Sequence, residues 1–94
     1  MWKLISVVES PISGKKWRAN FEDGDKKKHT DFGAAGMEDY TIHKDEKRRE
    51  LYRKRHAKDL KTNDPTRAGF LSWYILWNKP TMRESIADYR RLFN

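Results

Sequence analysis

The sequence contains no cysteine, only three prolines and five glycines in 94 residues. Without cysteine there is no disulfide framework, cysteine-based zinc site, haem attachment or cysteine nucleophile, and the redox compartment is left unmarked. Long apolar runs are also missing: nothing approaches the roughly 20 residues that a membrane-spanning helix needs. The opening stretch from Met1 to Glu9 is apolar-rich but interrupted by Ser6. It lacks an extended hydrophobic segment and a small-residue cleavage site, and therefore reads as a strand and not as a signal peptide. Aliphatic bulk is scarce: Ile, Leu, Val and Phe together number 17, close to the composition at which chains fail to fold. Four Trp and four Tyr restore large apolar surfaces. The expectation is one small domain over residues 1–94, held by aromatics.

Positive charge is abundant. Lys+Arg total 21 against 14 Asp+Glu, a net charge of +7. Its distribution is uneven. Residues 1–43 carry seven cations and seven anions, whereas residues 44–61 carry nine and four, so most of the excess lies in one 18-residue segment.

Alternation and turn chemistry predict an α+β fold, a three-stranded antiparallel β-meander over residues 1–32 followed by about three α-helices. In the first strand Trp2, Leu4, Ser6 and Val8 share one face by strict alternation, with Lys3, Ile5, Val7 and Glu9 on the other. Trp17, Ala19 and Phe21 mark the buried face of a second strand, and Asp23-Gly24 a hairpin turn. Lys26-Lys27-Lys28 suits a solvated edge strand, where charge discourages strand addition. Gly33 to Lys44 reads as a glycine-containing connector. Residues 45–61 read as one basic helix. At 100° per residue Leu51, Tyr52, His56 and Leu60 share a side with Arg48 and Arg55, and Lys47, Lys54, Lys58 and Lys61 form a stripe opposite. Residues 65–94 read as two aromatic-rich helices. Asn63-Asp64-Pro65 opens the first, and Thr81 with Glu84 forms a capping box at the start of the second.

Catalytic and metal sites have little support. His29, His43 and His56 are too scattered for a ligand signature, no nucleophile elbow is present, and Gly33-Ala34-Ala35-Gly36 does not lead into a phosphate-loop lysine. The expectation is a non-enzymatic protein with no catalytic residue, metal, cofactor or small-molecule substrate. Its candidate electrostatic contacts are Lys47, Lys54, Lys58, Lys61, Arg48, Arg49, Arg53 and Arg55, facing acidic protein, a membrane surface or nucleic acid. Its candidate interface anchors are Trp73, Tyr74 and Trp77, residue types that dominate protein interfaces.

The run Phe32-Gly33-Ala34-Ala35-Gly36, then Asp39-Tyr40-Thr41 and His43-Lys44-Asp45 before the basic helix, resembles a pattern in small basic proteins of giant nucleocytoplasmic large DNA viruses. Tyr52-Arg53-Lys54-Arg55-His56, Ala68-Gly69-Phe70 and Leu76-Trp77-Asn78-Lys79-Pro80 extend the resemblance over about residues 17–86. That family supplies no catalytic residues. The resemblance implies a viral origin, and with it a location in the virion after synthesis in the host cytoplasm. The function expected is a minor capsid or other virion-associated structural protein that cements larger subunits, with other capsid proteins as partners. The alternative is an accessory protein that binds viral DNA or RNA through the basic helix.

Overall fold

A computed structural model describes residues 1–94. Three antiparallel strands, β1 (Lys3–Glu9), β2 (Lys15–Asp23) and β3 (Lys26–Ala34), form a meander in the order β1-β2-β3. The helices that follow cover one face of it, giving an α+β arrangement. Leu4, Ala19, Phe21 and Phe32 from the sheet are buried with Leu71, Ile75, Leu76, Trp77 and Tyr89 from the helices.

Strict alternation fails in β1, and the reason is local. The register shifts between Leu4, opposite Phe21, and Ser6, opposite Asn20. The extra residue, Ile5, is a bulge, and it returns Val7 to the core side opposite Ala19 while Val8 joins the open face opposite Arg18. Beyond the bulge the faces are therefore the reverse of those predicted. The β2–β3 hairpin also closes one residue later than expected. Asp23 pairs with Lys26, so Gly24-Asp25 forms the loop, and only Gly24 takes a positive φ, 62°. Glycine at the first loop position is the pattern of a II′ turn.

β3 runs through Gly33 to Ala34, past the expected end at Phe32. Gly33 holds φ 81°, and a Cβ there would lie 3.0 Å from the Leu76 Cδ1. Glycine thus lets the sheet and the central helix approach closely without breaking the strand.

The connector contains a one-turn helix, α1 (Tyr40–His43). Asp39 caps it by accepting the Thr41 N–H at 2.9 Å, and Lys44 closes it at φ 54°. Asp45 then caps α2 (Glu46–Arg55), accepting from the Lys47 and Arg48 N–H groups. The basic segment is therefore not one helix over 45–61. The α-helix stops at Arg55, and Ala57–Thr62 continues as a tighter 3-10 segment. That path lays Asp59 against Gly69, where a Cβ would come within 3.0 Å of the carboxylate.

The central helix also departs from a plain α-helix. Residues Ala68–Leu71 (α3) continue as a π-helical turn over Ser72–Leu76, closed by the Trp77 N–H donating to Ser72 O at 3.1 Å. The last helix, α4 (Met82–Phe93), starts at Thr81, whose hydroxyl accepts the Glu84 N–H and donates to the Glu84 carboxylate. Its far end covers the edge of β1. The Asn94 side chain accepts the Leu4 N–H at 3.0 Å and donates to Leu4 O at 3.2 Å, and Arg90 donates to Ile5 O at 2.6 Å. A side-chain amide here takes the place of a neighbouring strand.

Candidate functional site

The residues singled out for contact separate into three sectors around α2. On the first, Arg49 and Arg53 turn inward. The Arg53 guanidinium donates to Trp77 O at 2.8 Å, and Arg49 Nε donates to Asn78 O at 2.7 Å. These carbonyls lie just past the π turn, where the helix no longer supplies donors. Arg53 also lies over the Trp73 ring at 3.5 Å from its centroid, and its own carbonyl accepts the Trp73 indole N–H at 3.0 Å. Burial, with Arg49 alongside, pushes the Arg53 guanidinium down to about 10, so it stays cationic at neutral pH. Arg49 and Arg53 thus join α2 to the central helix, and the donors they direct at Trp77 O and Asn78 O are engaged within the chain.

The aromatic anchors are engaged in the same way. Trp77 is only 9% exposed and stacks on Tyr52 with centroids 4.2 Å apart and planes 7° apart. Tyr74 packs between Phe70 and Phe93 at 5.1 and 5.0 Å, and Trp73 is held by Arg53. Trp73 and Tyr74 remain half-buried, but their rings pack the helices against one another. Trp77 belongs to the core. As an interface anchor it is corrected, because an all-round apolar helix in so small a chain must be covered by the chain's own elements.

The second sector faces solvent. Lys47 and Lys54 on α2 and Lys58 and Lys61 on the 3-10 segment are all exposed, and none forms an ion pair. The stripe drawn on a single helix is broken at His56, so the last two lysines follow a different helical path from the first two.

The third sector carries Arg48, Leu51, Tyr52, Arg55 and His56, spaced three and four apart. It borders a hollow of about 390 Å³. The end of β3 and the connector residues Met37, Glu38 and Asp39 form the opposite bank, with Leu76 and Trp77 also lining the hollow. His56 stacks on Tyr52 at 4.2 Å and its Nδ1 lies 3.4 Å from Asp59. Burial, with the Asp59 carboxylate adding to it, pushes the Tyr52 phenol above its ordinary range. The connector bank is fixed by Lys16, which donates to the buried Asp39 carboxylate at 2.7 Å. Sequence reasoning grouped Arg48 and Arg55 with the aromatic side of the helix. It missed Met37 and Glu38, which reach the hollow only because Asp39 ties the connector to β2.

The motif residues have structural roles. Phe32 is buried, Gly33 admits Leu76, Asp39 and Asp45 cap successive helices, and Tyr40 is buried beneath Arg49, 5.5 Å from its ring. The His43 Nδ1 accepts the Asp45 N–H at 2.9 Å, its Nε2 is buried without a hydrogen-bond partner, and its ring centroid lies 5.3 Å from that of Trp77.

No curated protein and no solved structure matches the chain. A family model does match, over residues 5–56, from β1 to the turn that ends α2 and therefore across both banks of the hollow. By that match, over more than half its length, the chain belongs to DUF5754, a family of unknown function.

Proposed function

We propose that the protein is a non-enzymatic structural component of a virion, seated among larger capsid subunits and held there mainly by its cationic face. The viral setting rests on the resemblance of the Gly33-to-Asp45 motif and the segments after it to small proteins of giant DNA viruses. One observation carries the mode of contact: Lys47, Lys54, Lys58 and Lys61 stand exposed with no intramolecular carboxylate, while the aromatics are spent on packing the chain itself. These unpaired cations are available to an acidic surface outside the molecule. Such charges set orientation and encounter rate more than raw affinity, which suits a cementing protein positioned by several neighbours.

Replacing the four lysines by glutamate tests this. None of them supports the fold through an ion pair, so the variant is expected to keep its circular-dichroism spectrum and fail to enter assembled particles. Incorporation at the wild-type level would refute the electrostatic contact.

The same unpaired lysines favour a second reading, binding of viral nucleic acid through phosphates. Its signature is salt dependence. Each phosphate contact contributes about 0.9 to the slope of log K against log salt on duplex DNA. A steep slope with binding retained at physiological salt supports this reading, and loss of binding by that point refutes it.

A further inference from the structure

The hollow beside α2 combines two features that the cationic face lacks. It is flanked by unburied apolar side chains on its two banks, Met37 at 65% and Leu51 at 53% exposure. It also carries two cations without strong partners. Arg55 is exposed and makes no ion pair, and Arg48 reaches only Glu38, at 3.6 Å, with both side chains about half exposed. A solvent-exposed pair at that separation contributes little and is easily exchanged. The other carboxylate on the bank, Asp39, is already neutralised by Lys16. At about 390 Å³ the hollow lies within the range of about 300–1,000 Å³ typical of ligand sites.

From this pairing we infer that the hollow binds a short acidic peptide segment of a partner protein, with an apolar side chain seated against Met37, Leu51 and Trp77 and flanking carboxylates on Arg48 and Arg55. Charge complementarity selects the occupant. An apolar ligand alone leaves both guanidinium groups unused, and a bare polyanion leaves Met37 and Leu51 in water. The arginines suit the role because their planar forks pair carboxylates in a bidentate manner, which lysine does not. This site is separate from the lysine face, and its occupancy does not depend on the viral reading.

The test is a two-dimensional NMR titration of the full chain with a hexapeptide in which a leucine-phenylalanine pair is flanked by two acidic residues on each side. The expected result is saturable shifts of the Met37, Glu38, Leu51, Arg55 and His56 amides and of the Trp77 indole. R48A/R55A is expected to weaken binding about tenfold or more. K26A/K27A, which removes the same charge from the far hairpin, is expected to change it less than about twofold. A peptide with serine in place of the leucine-phenylalanine pair should bind about tenfold or more weaker. Equal binding of the serine peptide overturns the inference, as do shifts confined to Lys47, Lys54 and Lys58. Equal sensitivity to the two double variants also overturns it, and so does the absence of saturable shifts up to about 1 mM peptide. A thymidine oligonucleotide that shifts the same groove amides at the same concentrations assigns the hollow to nucleic acid and likewise overturns it. R48A/R55A removes only exposed side chains, and its unshifted core amides serve as the check on folding.

Discussion

At the scale of single residues, charge in this protein does two different jobs, decided by what each cation touches. Arg53 illustrates the first. It satisfies Trp77 O, covers the Trp73 ring and contacts the buried Asn78. Leaving a buried carbonyl unpaired costs about 1–3 kcal/mol, and a desolvated cation–π contact contributes about 2 kcal/mol. R53M is accordingly expected to lose about 3 kcal/mol in urea unfolding, whereas K54M, on the solvent side of the same helix, should stay within about 0.5 kcal/mol of wild type. Lys16 and Asp39 form the most buried ion pair, with side chains 15% and 3% exposed. D39A leaves Lys16 without its partner and is expected to cost about 3–5 kcal/mol, with K16M/D39A recovering part of the loss. The pH dependence follows from three other carboxylates. Arg18 and Ser10 hold Asp31 below the usual carboxylate range, Thr66 does so for Asp64, and Arg91 with Asn78 for Asp88. Because the folded value lies below the unfolded one, each adds stability above about pH 4. That stability is lost as the pH falls through the folded values. The urea midpoint should therefore hold from neutrality to about pH 5 and decline below it, with D88N flattening part of the decline.

At the scale of elements, local chemistry made the order of the three strands, the Thr81 cap and the last helix legible in the sequence, with the hairpin displaced by one residue. What stayed hidden was set by contacts between elements. The Ile5 bulge reverses the exposed face of β1, yet nothing in the Leu4-Ile5-Ser6 run marks it. Its support comes from Asn94 and Arg90, about 85 to 90 residues away in sequence. The end of the α-helix at Arg55 and the π turn over Ser72–Leu76 are equally unmarked in the sequence; the first is followed by the packing of Asp59 on Gly69, and the second packs on α4 and β3. The aromatics were legible as important, but composition cannot tell a ring that anchors a partner from one that packs a neighbouring helix. Two measurements address this scale. Gly33→Ala sets a side chain at φ 81° against Leu76 and is expected to cost about 1–3 kcal/mol. Asn94→Ala uncovers the edge of β1, so hydrogen exchange at the Leu4 amide should accelerate while the Ala19 amide, in the central strand, changes much less.

At the scale of the whole molecule, the organisation is a sheet covered on one face by helices, with a lysine face and a mixed apolar–arginine hollow on adjacent sides of α2. The net charge of +7 makes non-specific attraction to any polyanion unavoidable at low salt, so affinity for DNA in dilute buffer does not discriminate between partners. Location does. On the proposed viral reading, the most direct measurement is the partition of the protein when virions are opened stepwise and separated into shell, membrane and genome fractions. A cementing protein held by its cationic face is predicted to stay with the shell, to be released from it by high salt, and to be indifferent to nuclease. Release by nuclease together with the genome, or absence from the particle, would contradict the account.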